Sequence, residues 1–324
     1  MPTLTPARLL AVKEIPNGEG WLFEPKFDGY RGLLVSNERR KGSVSSRNAK
    51  DLGRFFPELV ELASRLPADT VLDGEIVRPI DSGVSFIQLQ QRLAIPNNER
   101  ERIAHESPVA FVAFDLLQHR GQDTRRNRLR ERRRDLKRLV DRVADQRLQL
   151  IVQTADPDVA AGWLDPTLSM SGIEGVVAKL DEAYPMPDTK RWRKVRRVST
   201  MELNVHGFIP EGDGSVRLVL AVTAGDELRI VGSTYPIGGV DAQVLQPLIP
   251  ESVLGKPRIW APFESDRHDV WYRLPAGLIA EVIVTSIDSN VLRQPAKFVR
   301  WRLSGPPAEL RKRPLDRSHL TPAL

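Results

Sequence analysis

The feature that most limits the fold is a change in sequence pattern near residue 200. Before this point, short runs rich in Val, Ile, Leu or Phe alternate with stretches whose apolar residues recur at helical spacing. After it, short apolar runs follow one another with turn signals between them. The pattern predicts an α+β domain followed by a small all-β domain, and 324 residues are enough for two domains.

The first part of the chain is predicted to contain six strands and at least three helices. The predicted strands are 21–23, 32–36, 71–77, 109–117, 149–153 and 173–180. One helix follows from the spacing of Phe55, Leu59, Leu62 and Leu66. A second is expected over 86–93, where Ser85 and Gln88 resemble a capping box. A third, very basic helix is expected over 129–140.

The second part is predicted to be a small barrel or sandwich. Its predicted strands are 204–209, 216–222, 227–234 and 278–287, and the turns at 212–214 and 224–226 are typical of hairpins. The boundary is expected near 198–200. This gives a first domain over 1–199, a second over 200–310 and a C-terminal tail over 311–324.

Composition excludes several kinds of chemistry. The chain has no cysteine, so it has no thiol nucleophile, zinc–thiolate site, iron–sulfur cluster or disulfide. It has no apolar run of the ~18 residues that a membrane-spanning helix needs and no hydrophobic signal core at its N-terminus. A cytoplasmic protein without a membrane partner is therefore expected. The net charge of +6 favours a polyanionic partner, although a solvated surface gives the same value.

Five short polar segments interrupt or end apolar runs. They read Glu-Pro-Lys-Phe-Asp-Gly-Tyr-Arg at 24–31, Asp-Gly-Glu at 73–75, Phe-Val-Ala-Phe-Asp at 111–115, Glu-Gly-Val-Val-Ala-Lys at 174–179 and Trp-Arg-Lys-Val-Arg at 192–196. The first segment alone is also typical of a solvated ion-pair cluster. Acidic groups at the ends of apolar strands need a reason, because a buried charge without a partner is costly.

Taken in this order, and together with Ser-Arg-Asn at 46–48, these segments resemble the nucleotidyltransferase motifs of ATP-dependent DNA ligases. That family is related to mRNA capping enzymes and RNA ligases. The resemblance extends over about residues 8–305 and includes the minimal two-domain ligase C group of bacteria. It implies a nucleotidyltransferase (adenylation) domain with antiparallel sheets and flanking helices, followed by an OB-fold domain. The implied activity is ATP-dependent sealing of 5′-phosphate/3′-hydroxyl nicks in DNA repair.

By this resemblance, Lys26 is the nucleophile that attacks the α-phosphate of ATP and forms a lysyl-AMP intermediate. A free lysine has a pKa of about 10.4, so an amine nucleophile needs neighbouring cations or a metal that favour its neutral form. Lys194 matches a phosphate-binding lysine and is the second predicted catalytic residue. Attack on a polyanion also requires that its charge be neutralised.

Further matches concern the nucleotide and a metal. Glu24 matches the residue that reads the adenine amino group. Phe111 matches the aromatic residue that stacks on adenine, whereas Phe114, on the opposite face of the same strand, is expected in the core. The residues matched to the sugar or the phosphates are Arg31, Arg47, Glu75, Lys179 and Arg196. Glu174 and Glu75 match carboxylates that hold Mg²⁺ or Mn²⁺, which suits ions that prefer oxygen ligands.

The resemblance weakens at the C-terminal motif, where the family has Arg-x-Asp-Lys. If Arg302 aligns with that arginine, Ser304 and Gly305 replace the aspartate and the lysine. The departure concerns self-adenylation rather than the later steps. Residues 198–201 are the expected hinge between the domains.

The implied substrate is nicked double-stranded DNA bound by a monomer, with a primase-polymerase or a Ku-type repair protein as partner. Three alternatives stay open: an RNA ligase, a capping-type nucleotidyltransferase, and a catalytically weakened DNA-binding repair scaffold. Residues 120–140 contain ten basic and three acidic residues. This basic segment is either a track for the DNA backbone or a solvated helix face.

Overall fold

The structure is a computed structural model, and it divides the chain into two compact units, Met1–Arg197 and Val198–Leu324. The described residues are 5–165, 168, 171–197, 199–224, 227–251, 253–254, 258–259, 268–275, 277–284, 287–288, 291–292 and 294–302. The expected tail over 311–324 and the positions of Ser304 and Gly305 lie outside them, as does residue 198 of the expected hinge.

Within the described part of the first unit, the strands are β1 Leu9–Ala11, β2 Trp21–Phe27, β3 Tyr30–Ser36, β4 Gly42–Ser46, β5 Thr70–Val77, β6 Pro79–Ile80, β7 Gly83–Val84, β8 Ala110–His119, β9 Gln122–Asp123, β10 Leu148–Leu150, β11 Ile173–Leu180 and β12 Trp192–Arg196. The helices are α1 Pro57–Arg65, α2 Phe86–Gln91, α3 Arg100–Glu106, α4 Leu129–Val143 and α5 Pro157–Gly162, with 3₁₀ turns at Arg92–Ala94 and Asn97–Glu99.

Two sheets form the core of the first unit. The larger sheet has the order β10-β8-β5-β3-β4, with β9 on β8, and the smaller sheet has the order β1-β12-β11-β2. Most of the pairs are antiparallel, but β1 pairs with β12 and β10 pairs with β8 in parallel. A cluster that contains Leu33, Val71 and Leu117 of the larger sheet and Trp192 of the smaller sheet joins their facing sides.

Helices α1, α2 and α4 cover the other face of the larger sheet, whereas α5 packs on the smaller sheet. Leu59 and Leu62 of α1 and Leu136 and Leu139 of α4 are fully or almost fully buried in one core with Leu34, Leu72, Ile76 and Phe111 of the strands. The apolar stripe of α4 recurs at helical spacing, as expected for a helix packed on one side. Ser85 caps α2 by accepting a hydrogen bond from the backbone N–H of Gln88, as the sequence predicts.

In the described part of the second unit, the strands are β13 Ser199–Pro210, β14 Val216–Ala224, β15 Glu227–Ser233, β16 Val253–Leu254, β17 Arg258–Ile259, β18 His268–Asp269, β19 Tyr272–Arg273, β20 Ile279–Val284, β21 Ile287–Asp288, β22 Val291–Leu292 and β23 Lys297–Arg302. A short helix α6, Gly239–Gln243, and a 3₁₀ segment, Gln246–Glu251, accompany them.

The main sheet of this unit has the order β15-β14-β13-β19-β16, and β20 joins β13 to β23. It encloses a core that includes Phe208, Leu218, Leu220 and Val282. Apart from the short helices, the described part of this unit is all-β, as predicted. Over the residues that the structure describes, the sheet does not close into a barrel.

Candidate active site

Charged residues line the inner face of the smaller sheet because of its register. Glu24 of β2 lies opposite Val177 of β11, which lies opposite Lys194 of β12, and Lys26 lies opposite Gly175, two residues along. Residues that are paired directly, or are two apart on a strand, share a face. The alternate residues Phe23, Val176, Ala178 and Val195 are buried in a separate apolar cluster on the outer face. The alternation of side chains along each strand therefore separates a polar inner face from an apolar outer face.

At one end of this face, Glu24 and Lys179 form a buried ion pair. The Nζ of Lys179 lies 2.7 Å from Oε2 of Glu24, and the two side chains are 1% and 3% exposed. Gln153 donates a hydrogen bond of 2.7 Å from Nε2 to the other carboxylate oxygen, Oε1. The Lys179 ammonium also lies 4.1 Å from the ring centre of Trp192 and 4.5 Å from that of Phe114. We call Glu24, Lys179 and Gln153 the polar triad.

At the other end lies Lys26, whose Nζ forms an ion pair with the carboxylate of Glu174. Lys194 is half-buried, and burial lowers its pKa, with the neighbouring charges of Arg196 and Lys26 acting in the same direction. Gly175 of β11 pairs with Arg196 of β12. Glu174, which precedes Gly175, therefore lies next to the charged end of β12. The arrangement is a cationic surface around one lysine and one carboxylate.

Arg31 connects the larger sheet to the N-terminal segment. Its guanidinium donates to both carboxylate oxygens of Asp73, at 3.0 and 2.6 Å, and to the backbone oxygen of Ala7 at 2.5 Å. The Tyr184 hydroxyl donates to Asp73 at 2.6 Å, and burial raises its pKa, so it remains a donor. Burial alone lowers the pKa of Arg31, but Asp73 outweighs it, and the pKa is raised. Most N–H groups of Arg31 are thus hydrogen-bonded to other groups of the protein.

Glu75 lies directly opposite Arg31 on the neighbouring strands β5 and β3. Its pKa is raised to about 7. Burial is the main cause; Lys26 and Arg31 oppose the shift, whereas the charges of Glu174 and Asp73 add to it. Glu75 and Glu174 are thus carboxylates close enough to repel each other, and a cation between them would relieve that repulsion. Within the described residues, three or more metal-ligating side chains do not gather in one place.

These residues line two adjoining cavities in the first unit. The cavity at the polar triad has a volume of only about 50 Å³ and is also lined by Lys26, Arg31, Glu75, Phe114 and Trp192. The second, which we call the basic cavity, has a volume of about 850 Å³. Its charged lining residues are Arg8, Lys26, Arg31, Arg47, Glu75, Lys190, Lys194 and Arg196. All predicted site residues other than Phe111 and Glu174 therefore line one or both cavities. Glu174 does not line them but contacts Lys26.

Three of the sequence predictions need correction. Phe111 has no exposed surface and packs in the core under the helices, so it cannot stack on a nucleotide. Phe114, expected in the core, lines the cavity instead. The strand alternates as expected, but the sequence does not reveal which face meets the smaller sheet. Lys179, expected to bind phosphate, is instead paired with Glu24 at the other end of the site.

The sequence prediction also missed residues that support or border the site. Gln153, Asp73 and Tyr184 hold site residues through long-range hydrogen bonds, and Arg8 and Lys190 line the basic cavity. Asp73 belongs to the Asp-Gly-Glu segment at 73–75, so the sequence contained an indication that it lies at the site. Tyr184 and Gln153 carry no local signal, because their partners lie 111 and 129 residues away in the chain.

The basic segment over 120–140 proves to be heterogeneous. Arg132 is buried and donates to both oxygens of Asp115, at 2.6 and 3.0 Å. Lys137 pairs with Asp141, and Arg134 and Arg138 lie 3.6 Å from Asp135. Helix α4 packs on the face of the larger sheet opposite Phe114, and none of its residues lines the basic cavity. These facts favour a solvated, ion-paired helix face over a track for the DNA backbone.

In the second unit, Arg302 pairs with Glu202 at 2.7 Å and with Glu281 at 3.0 Å, and Arg300 also contacts Glu281. No helix among the residues that the structure covers is long and apolar enough to cross a membrane.

Comparison with known proteins agrees with this site. A sequence model of the ATP dependent DNA ligase domain matches residues 8–196. DNA ligase C1 of Mycolicibacterium smegmatis is 31% identical over 93% of this chain and 90% of its own length. A multifunctional non-homologous end joining protein of the same organism is 32% identical over 65% of this chain and 26% of its own length. The structure of mycobacterial DNA ligase D complexed with ATP and MES has a TM-score of 0.51 and 26% identity, over 94% of this chain and 97% of that one.

Proposed function

Because the chain belongs to the ATP-dependent DNA ligase family, we propose that Lys26 takes up AMP from ATP and that this AMP activates the 5′-phosphate of a DNA nick. The observation that carries the proposal is the position of Lys26. It lies on the wall of the basic cavity, in an ion pair with Glu174 and beside the half-buried Lys194. Of the alternatives that the sequence left open, the family match favours DNA over RNA joining or capping.

The chemistry assigns a task to each group around Lys26. The neutral amine attacks the α-phosphorus of ATP, a P–N bond forms, and the P–O bond to the β-phosphate breaks with loss of pyrophosphate. The ammonium, which is paired with Glu174, must first lose a proton, which passes to water. A 5′-phosphate oxygen then displaces the lysine, which recovers a proton. Finally, the 3′-hydroxyl loses its proton to water and attacks that phosphorus; a phosphodiester bond forms, the P–O bond to AMP breaks, and AMP leaves.

The cations of the basic cavity fit the charge that this reaction moves. Triphosphate, pyrophosphate and DNA are all polyanions, and fixed positive groups stabilise the charge that develops on phosphate oxygens. Lys194 and Arg196 lie on the strand beside β11, within reach of the same face as Lys26. We assign them to the phosphates, and Arg47 to the nucleotide sugar or the DNA backbone.

The residues also fit a divalent metal ion. Glu75 and Glu174 are two carboxylates that repel each other, and Mg²⁺ or Mn²⁺ is held well by two carboxylates together with phosphate oxygens. When bound, such an ion supplies charge neutralisation at the phosphates. Glu75 and Glu174 are the residues that would hold it.

The polar triad explains the choice of adenine. Adenine presents an amino donor at C6, whereas guanine presents a carbonyl acceptor there. The Glu24 carboxylate accepts from that amino group, and the Lys179 ammonium, 2.7 Å away, donates to the neighbouring ring nitrogen. Guanine would set an acceptor against the carboxylate and a donor against the ammonium. We assign stacking on the base to Phe114, which lines this cavity beside Lys179, rather than to the buried Phe111.

The test is self-adenylation with α-labelled ATP and Mg²⁺, followed by sealing of a nicked duplex. Wild type and Lys50→Ala, which removes an exposed lysine outside both cavities, should acquire label. Lys26→Ala should acquire none while keeping its thermal stability. Equal labelling of Lys26→Ala would refute the assignment. Labelled GTP at the same concentration should give much less adduct than ATP, and equal incorporation would refute the role of the polar triad.

The same assay addresses the C-terminal motif in which Ser304 and Gly305 replace the usual aspartate and lysine. If the change weakens only self-adenylation, a pre-adenylated nick should be sealed faster than an ordinary nick supplied with ATP. We propose that the physiological substrate is a nick in double-stranded DNA during repair, which the end-joining name of the M. smegmatis relative supports. A Ku-type protein or a primase-polymerase is the proposed partner of the monomeric enzyme.

A further inference from the structure

Arg8 and Lys190 line the basic cavity but lie outside every ligase motif found in the sequence. Both side chains are exposed, whereas Lys26, Arg31 and Lys194 are partly buried. Resting on the proposed function, we propose that Arg8 and Lys190 bind backbone phosphates of the nicked duplex beside the reacting nucleotide. They would extend the cationic wall that begins at Arg47.

Topology brings these two residues to one edge of the sheet. Strand β1 starts one residue after Arg8, and β12 starts two residues after Lys190. The two strands are parallel, and Leu9 pairs with Trp192. Neighbouring parallel strands that start together place the residues before them at the same edge. Two cations that are 182 positions apart in sequence thus flank the same opening.

Their surroundings distinguish them from ordinary surface cations. Arg191, next to Lys190, forms an ion pair with Glu182 at 2.7 Å. For Arg8 and Lys190, the described residues supply no carboxylate within 4.0 Å, and Glu75 is the one acidic residue on the cavity wall. Two unneutralised cations on the rim of a cationic cavity attract an anion from solution.

The direction of the site favours DNA over the triphosphate tail of ATP. Along β12, Trp192 lies at the end of the polar triad, and Lys194 and Arg196 follow toward Lys26. Lys190 precedes Trp192, so it lies just before the start of β12. Lys194 and Arg196, which we assign to the phosphates of ATP, lie toward the other end of this strand. A phosphate held there belongs to a ligand that extends out of the site, as a duplex backbone does.

Lys190 has a φ of +47°, in the left-handed region that costs most side chains energy. Asparagine tolerates this region better than most residues, so Lys190→Asn removes the charge without adding backbone strain. Arg8→Gln removes the other charge at an exposed position. The control is Arg39→Gln with Arg102→Gln, which removes two charges from exposed side chains outside the basic cavity.

The experiment measures binding of each full-length protein to a nicked duplex with a 3′-dideoxy end, in EDTA, at several salt concentrations. For the Arg8→Gln/Lys190→Asn variant, the slope of log K against log[salt] should be shallower than wild type by about 2, since each lost phosphate contact removes about 0.9. The control should keep the wild-type slope. Self-adenylation with labelled ATP should stay at the wild-type level in both.

An unchanged slope in the Arg8→Gln/Lys190→Asn variant would overturn the inference. A normal slope with reduced labelling would also overturn it, because the two residues would then serve ATP. A slope change of equal size in the control would show a general charge effect and overturn it as well. If wild type neither acquires label nor seals a nick, the proposed function itself fails, which is a separate result from any of these.

Discussion

The buried pair between Arg132 and Asp115 gives the sharpest stability prediction. Arg132 belongs to the basic segment that the sequence offered as a possible DNA track, yet its side chain is only 1% exposed and that of Asp115 is fully buried. Besides its two hydrogen bonds to Asp115, Arg132 donates to the backbone oxygens of Asn127 and Glu182. Four hydrogen bonds and a charge pair therefore depend on one side chain.

Arg132→Met keeps the aliphatic stem and the helix propensity but leaves the Asp115 carboxylate buried without its partner. Removing one member of a buried pair costs about 3–5 kcal/mol of unfolding free energy. In a unit of this size, that corresponds to a fall in Tm of roughly 10 °C. Arg134→Met on the same helix is the matched control, because Arg134 is 61% exposed and lies 3.6 Å from Asp135. It should cost less than about 1 kcal/mol.

The assay is urea unfolding followed by circular dichroism, together with nick binding against salt concentration. Arg132→Met/Asp115→Leu should recover most of the lost stability, since an apolar pair replaces the ionic one without leaving a buried charge. Binding by Arg132→Met should keep the wild-type salt slope, because a buried guanidinium releases no counterion from DNA. A loss below 1 kcal/mol in Arg132→Met, or a shallower salt slope at full stability, would refute the reasoning.

Three further predictions concern the same unit. Phe114→Ala should raise the KM for ATP in self-adenylation about tenfold with little loss of stability. Phe111→Ala should instead cost about 3–5 kcal/mol of unfolding free energy. The opposite pattern would restore Phe111 as the stacking residue. Gly74→Ala should destabilise the protein by about 1–3 kcal/mol, because a Cβ there would collide with the Phe111 ring and the Val112 carbonyl, while Gly162→Ala, which faces open space, should not. Burial lowers the pKa of His119 below its usual 6.5, so the folded protein binds a proton at this imidazole less readily than the unfolded chain does. The free energy of unfolding should therefore fall as pH drops through 6.5. The decrease between pH 7.5 and 5.5 should be smaller in His119→Gln, and an equal decrease would contradict the assignment.

Much of the site could be predicted from local sequence because its chemistry is built from short segments. Lys26, Glu75, Glu174 and Lys194 each lie in a segment whose residue types and order are sufficient to indicate the family. Strand alternation then brings Lys26 and Lys194 to one face of the smaller sheet, whereas Glu75 lies on the larger sheet and Glu174 lies at an irregularity in the register of β11. The change of pattern near residue 200 likewise follows from periodicity, which depends on near neighbours alone.

The remaining features depend on contacts between distant parts of the chain. The sequence determined that Phe111 and Phe114 occupy opposite faces of one strand, but only the packing of the smaller sheet decided that Phe114 meets the site. The same holds for the arginines of α4, of which Arg132 is buried because Asp115 lies beneath it. It also holds for Lys179, whose charge is directed to Glu24 rather than to phosphate. Residue type fixes what a side chain can do, whereas burial and partners, set by residues far away in sequence, decide which of those things it does.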